Sequence, residues 1–312
     1  MSAFPERVER GFAAARRLAD AALRDGDPGH DGPHRQSGVL VPPEYTAQGG
    51  EHSHQRTECL MEACGGDVLA VELRFLRVRR HAVERANAAG FESVERLELA
   101  GRDLAAWDEG VEERVELVLP VAELAGSGVH RPFRLPGVGE TGLVHEHGTV
   151  VGRLVRRREQ VDGLLWLRGE ELPGPYRAWR LVVEVENTSA WRPPRRATRD
   201  EALPRSLVSA HLLLGLEHNG FLSVTDPPAW ARPAVERCRN ERTWPVLAGP
   251  DGERRVVLSS PVALVDHPGI AAEGFGALDE AAEATGADEP PAPRTDLRAV
   301  APTGEGGAEE RV

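Results

Sequence analysis

The stretch VLAVELRFLRV, Val68 to Val78, alternates apolar and polar side chains along its length. Leu69, Val71, Leu73 and Phe75 fall on one face of an extended chain, and Arg77 continues the same row. A two-residue period of this kind is the mark of a half-buried strand. Working outward, Val111 to Leu119 repeats the pattern, with Val111, Val115 and Leu117 set among acids. Val150 to Arg157, Gly163 to Leu167 and Ala178 to Val185 read as further strands. Turn signals separate them: Gly126-Ser127-Gly128, Leu135-Pro136-Gly137 and Leu172-Pro173-Gly174-Pro175. Short alternating strands punctuated by Gly and Pro predict an antiparallel, sandwich-like sheet.

Two helical segments accompany it. Phe4, Val8, Phe12, Ala15, Leu18, Ala19, Ala22 and Leu23 recur at three- and four-residue spacing, and Gly26 and Pro28 end that helix. Arg199 to Leu216 shows helical spacing through Leu203, Leu207, Ala210, His211 and Leu214, with Pro204 in its first turn. Asp226 reads as an N-cap before Pro227, and Pro233 as the start of a second short turn. The fold class is therefore α+β: a β-sandwich-like core, an N-terminal helix and a helical insertion. Three regions follow: helix and loop over 1–37, one β-rich domain over 38–270, and a tail over 271–312. The tail carries ten acids and three Arg, −7 of the chain's net −12, in a sequence rich in Ala, Gly and Pro. It buries too little apolar surface to offset ordering entropy and reads as disordered.

Composition narrows the chemistry. All 38 basic residues are Arg, as codon usage in a GC-rich genome would produce. Without Lys there is no Schiff-base or P-loop lysine. Net negative charge argues against a nucleic-acid partner bound through phosphate neutralisation. The charged N-terminus lacks a signal peptide's apolar run, no stretch reaches membrane-span length, and three Cys make no disulfide framework. These features predict a cytoplasmic protein with no membrane span.

Few motifs carry a reaction. Gly137 to Gly142 matches GxGxxG, but Leu-Pro precedes it and an extended segment follows, so it reads as a glycine turn. His52, His54, Cys59 and Cys64 offer imidazole and thiolate ligands in a short span, although H-x-H-x4-C-x4-C is not a standard zinc spacing. The alternative is a polar loop leading into a strand. His145-Glu146-His147 lacks the second half of HExxH and reads as an exposed hairpin. No GxSxG is present. Cys238 could act as a nucleophile with a base such as the Asp266-His267 pair, or could be a buried small hydrophobe. Asn187 ends a strand as a turn residue, within a glycosylation-type triplet.

The densest segment is Phe221 to His267, which holds Trp230, Trp244, Cys238, Asp-Pro-Pro and Ser-Ser-Pro between two apolar runs. With GVLVPPEY (Gly38 to Tyr45), TECL (Thr57 to Leu60), LPGPY (Leu172 to Tyr176) and RDEALPRSLVSAH (Arg199 to His211), it resembles a family of uncharacterised proteins. That family is encoded beside high-affinity [NiFe]-hydrogenase genes in high-GC bacteria. FLSVTDPPAWARPA (Phe221 to Ala234), CRNERTWPVLAG (Cys238 to Gly249) and VVLSSPVALVDHP (Val256 to Pro268) carry the resemblance further. The chain departs from the family in three places. It lacks an aromatic, basic segment before GVLVPP, has Arg242 where His commonly follows CRNE, and ends in the acidic tail.

The resemblance implies a non-catalytic accessory protein with an assembly, maturation or interaction role. Its partners would be [NiFe]-hydrogenase subunits or maturation factors, met through Asp226, Trp230, Asn240, Glu241 and Trp244. It names no cofactor. Two other readings rest on residues alone: a metal-binding protein or metalloenzyme using His52, His54, Cys59 and Cys64, and a hydrolase using Cys238 or a Ser with His267.

Overall fold

A computed structural model describes residues 4–25, 38–264, 266–267 and 295–296. The predicted disordered tail lies outside the described residues apart from 295–296. The expected loop between the first helix and Gly38 also lies outside them, over 26–37.

Two antiparallel sheets face each other. The smaller holds β1 (His54–Glu62), β7 (Val129–Leu135), β10 (Val161–Glu171), β11 (Ala178–Asn187) and β13 (Gly220–Leu222), in the order β13-β1-β11-β10-β7. The larger is built around β2 (Val68–Asn87), with β6 (Trp107–Pro120) on one edge and β12 (Val208–Leu216) on the other. Beyond β12 lie β15 (Val256–Ser260) and then β14 (Trp244–Leu247). The far half of β2 pairs instead with β3 (Gly90–Val94) and β9 (Thr149–Arg158), and β8 (Val138–Glu146) adds to β9. β4 (Arg96–Leu99) and β5 (Arg102–Ala105) form a separate hairpin, and β16 (Thr295–Asp296) lies parallel to β6.

The row read from Val68 to Val78 is the centre of the core. Leu69, Val71, Leu73 and Phe75 are fully buried against Met61 of β1, Leu165 and Leu167 of β10, and Leu181, Val183 and Val185 of β11. Facing apolar rows of this kind are what hold a sandwich together. A second, small cluster of Val83, Leu97 and Val144 lies where β2, β4 and β8 extend beyond the sandwich.

The N-terminal helix, α1 (Glu6–Asp25), packs on the outer face of the larger sheet. Phe4, Val8, Phe12, Ala15 and Ala19 form its buried stripe, against Ala70, Leu213, Val256 and Leu258. A Cβ added to Gly215 would lie 2.5 Å from Val8 Cγ1, so the close approach of helix to sheet depends on that glycine. The same interface buries charge. Arg16 pairs with Glu72 at 2.5 Å and Glu9 at 2.6 Å, and Arg74 with Asp20 at 2.7 Å and Glu112 at 3.0 Å.

The helical reading of Arg199 to Leu216 holds only for its beginning. Thr198 and Glu201 form a reciprocal capping box on α3 (Arg199–Ala202), the third helix after α2 (Pro43–Gly49). Pro204 lies in a 3-10 turn, and from Val208 the chain is strand β12, buried at every position. Flanked by β2 and β15, and covered on both faces, β12 is buried along its whole length and shows no apolar–polar alternation. Such a run carries no period that separates strand from helix.

Asn187 ends β11 as a turn residue, and its side chain is also built into the core. Its side-chain amide is buried and donates to the carbonyls of Leu40 at 2.7 Å and Arg205 at 2.8 Å, while its Oδ1 accepts from Ser189 N–H at 2.9 Å. His147 and Gly148, at φ 48° and 80°, make the two-residue turn of the β8–β9 hairpin. Gly139 and Gly142 lie within β8, so the glycine motif is strand rather than a phosphate loop, and only Gly137 sits at the corner.

Candidate interaction surface

The outer face of the smaller sheet is covered by the segment between β13 and β14. After β13 the chain turns outward. Ser223 and Thr225 hydroxyls bond to Asp266 Oδ2, with the Thr225 contact at 2.9 Å. Asp226 N–H donates to Ser223 Oγ at 2.7 Å. Asp226 does not cap the next helix: α4 (Arg232–Val235) begins after Ala231, with Pro233 in its first turn. Ala231, Ala234, Trp230, Val235 and Cys238 then pack on Leu60 and Leu222.

The chain next returns to the edge of β1. Glu241 exchanges two backbone hydrogen bonds with Arg56, at 2.9 and 3.1 Å, in an antiparallel bridge. Between this bridge and β13, Asn240 Oδ1 accepts the N–H of Glu58 at 2.7 Å. A side-chain amide thus fills a gap in the ladder, where an edge N–H would otherwise be left without a partner. Arg242, at φ 60°, turns its guanidinium onto the carbonyl of His54 at 2.6 Å. Thr243 then plunges inward. Its hydroxyl meets Ser259 Oγ at 2.7 Å, and Ser259 Oγ meets Thr57 Oγ1 at 2.8 Å, which links the larger sheet to the smaller through buried hydroxyls. The chain emerges as β14, at the edge of the larger sheet.

Three aromatic side chains are displayed around this path. Trp244 is 48 % exposed at the start of β14. Trp230 is half-buried and stacks on Tyr176, with ring centroids 4.2 Å apart, and Tyr176 is itself 51 % exposed. Glu241 adds a carboxylate 3.5 Å from His54 Nε2. Of the five residues expected to meet a partner, Trp230 lies beside α4, and Asn240, Glu241 and Trp244 follow on the return path. Asn240 is spent on the backbone of β1, and Asp226 sits in the preceding loop. Pro245, next to Trp244, limits further strand pairing at the edge.

The metal reading does not find its ligands together. β1 sends Gln55, Thr57, Cys59 and Met61 to the core and His54, Arg56, Glu58 and Leu60 to the other face, as strand alternation requires. Cys59 is buried among apolar side chains, and burial pushes its thiol far above the ordinary range. His54 lies on the opposite face beside Glu241, His52 is exposed before the strand, and Cys64 accepts from Arg177 at 3.3 Å. Among the described residues, no group of three or more His, Cys, Asp or Glu side chains is placed to hold a metal ion.

Cys238 is likewise held as a thiol. Burial first, then Glu58, raises its pKa to about 11, and its Sγ lies 3.6 Å from the Ala234 carbonyl. His267 bonds through Nδ1 to the Gly249 carbonyl at 3.3 Å, and Asp266 holds Ser223, Thr225 and the Leu247 N–H. The described contacts give Cys238 no base.

A histidine that the sequence reading placed on a helix is the most enclosed one. His211 is fully buried under α1, with Nδ1 2.7 Å from the Ser209 carbonyl and Nε2 3.3 Å from Ser260 Oγ. Ser209 takes a positive φ of 53° at a bulge in β12. Desolvation lowers the His211 pKa to about 4. The run SAHLLLGL gave no sign of a strand, and so no sign of which face His211 would take.

No described helix is long and apolar enough to cross a membrane. No protein-family model matches the chain, and neither does any curated protein or solved structure.

Proposed function

We propose that the chain is a non-catalytic accessory protein of a [NiFe]-hydrogenase, acting in the cytoplasm by binding a hydrogenase subunit or a maturation factor. The surface is the one carrying Trp230, Glu241 and Trp244. The resemblance noted in CRNERTWPVLAG and FLSVTDPPAWARPA supplies the partner class. The supporting observation is that Trp244 is half exposed while its neighbours Thr243 and Pro245 are buried. A large aromatic held by a fixed backbone binds with little ordering cost, and such residues dominate protein–protein affinity. The part-buried thiol of Cys238, packed on Leu60 and Leu222, and the separated His and Cys ligands favour binding over catalysis.

The test is a pull-down from a host expressing the hydrogenase, with a non-histidine tag on the full chain. Recovery of a hydrogenase subunit or maturation factor by the wild type, lost with Trp244→Ala, is the expected result. Recovery of neither, under conditions where the hydrogenase is made, overturns the reading.

A further inference from the structure

Strand β2 outlasts the smaller sheet. Phe75 is covered by Phe133 of β7, with ring centroids 6.2 Å apart, but β7 ends at Leu135. The chain then turns at Pro136-Gly137 and joins the extension of the larger sheet as β8. Past this point the core-facing row of β2 runs beyond the smaller sheet, and it changes from Leu69, Val71, Leu73 and Phe75 to Arg77, Arg79 and His81 before Val83 is covered by Leu97 of β4.

Strand register places more charge on the same face. Arg79 sits between Arg158 of β9 and Glu109 of β6, and His81 between Arg156 and Trp107. Glu140 of β8 stands opposite Arg156. These side chains line a cavity of about 390 Å³ at the mouth of the sandwich, within the ordinary size range of small-molecule sites.

The acids present are shared among the cations. Glu113 serves Arg77 at 2.7 Å and Arg158 at 3.5 Å, and Glu109 serves Arg79 at 2.8 Å and His81 at 3.2 Å. Glu140 reaches Arg156 only at 3.9 Å, with both side chains at least half exposed. In these contacts Arg77, Arg79, Arg156 and Arg158 share Glu109, Glu113 and Glu140. Arg77 is buried and its Nε has no acceptor among the described residues. Desolvation holds its pKa below the ordinary value, and Arg158 and Arg79 push in the same direction. An anion entering the mouth would relieve this crowding, and planar guanidinium forks suit phosphate oxygens. At the rim, Trp107 is 50 % exposed and stacks on His81 at 4.1 Å between centroids, which leaves its other face open.

We propose that the mouth of the sandwich binds a small phosphorylated ligand carrying a planar ring, of nucleotide size. Arg79, Arg156 and Arg158 meet the phosphate and Trp107 stacks on the ring. This site lies on different strands from the Trp230–Trp244 surface and does not depend on the partner reading.

Calorimetric titration of the full chain with ADP, pyrophosphate and adenosine tests it. ADP is expected to bind most tightly, pyrophosphate more weakly, and adenosine undetectably at millimolar concentration. Arg156 is a surface residue, so Arg156→Gln keeps the fold, checked by an unchanged melting temperature. It should weaken ADP and pyrophosphate about tenfold or more, as loss of a charge-assisted contact does. Trp107→Ala should weaken ADP about tenfold and leave pyrophosphate unchanged. No binding of ADP or pyrophosphate at millimolar concentration overturns the proposal. So does adenosine binding as tightly as ADP, or ADP binding that neither variant alters.

Discussion

On the larger sheet a helix of 20 residues lies across the outer face, and on the smaller sheet a helix of four residues does so. Both covers bury polar groups, but they end differently. Under α1 the seam of Arg16, Glu72, Arg74 and His211 is closed, and each of these groups has a partner inside the molecule. Over β1, the segment carrying α4 ties itself to the sheets through Asn240, Arg242 and Thr243 and leaves Trp230 and Trp244 at the surface. A cover that turns its large apolar side chains onto the sheet, as the α1 segment does with Phe4 and Phe12, seals it. A cover fastened through main-chain and amide contacts leaves large side chains available for a partner.

Substitutions should separate the two covers by size of effect. Phe12→Ala empties the α1 interface and is expected to cost about 3–5 kcal/mol in denaturant unfolding. Glu72→Ala leaves Arg16 buried beside a missing carboxylate and should cost a similar ~3–5 kcal/mol. If either were near neutral, α1 would not be a sealed cover.

Acid should weaken the same face. The folded His211 pKa of about 4 lies below the ordinary 6.5, so the unfolded chain binds the extra proton first. Its contribution is therefore complete above pH 6.5 and is lost as pH falls toward 4. The loss is on the order of 3 kcal/mol by the lower limit. Arg74 opposes and Asp20 favours the charged ring, with burial the larger effect. Urea melts across this window should show the slope in the wild type and lose it in His211→Gln.

On the other face the effects shrink. Asn240→Ala strands the N–H of Glu58 and should cost about 1–3 kcal/mol. Trp244→Ala should change stability by no more than about 0.5 kcal/mol while abolishing partner capture. A large stability loss from Trp244→Ala would make it part of the fold rather than a displayed group.

Legibility in the sequence followed the covering of each strand. β2, β6, β10 and β11 announced themselves because, within the sandwich, one face of each is mainly apolar and the other carries charge. β12 did not, since both its faces are buried. β1 was hidden for a related reason: its outer row of His54, Arg56, Glu58 and Leu60 mixes charge with an apolar residue that α4 covers, which blurs the alternation. The aromatic segment drew attention through composition, yet the role of Asn240 in the β1 ladder depends on a contact across 182 positions. Nor could spacing reveal that His54 and Cys59 look in opposite directions, because that follows from the strand assignment itself. Arg77 did mark the end of the apolar row, although the row alone does not show where the facing sheet stops.

Because β2 threads both the sandwich and its extension, its amides form a ruler along the molecule. Hydrogen–deuterium exchange should be slowest near Leu73, where both neighbouring strands and the opposing sheet exclude solvent, and should quicken toward Asn87 at the hairpin tip. A single peptide series from one strand would then trace local opening continuously from the interior to the rim.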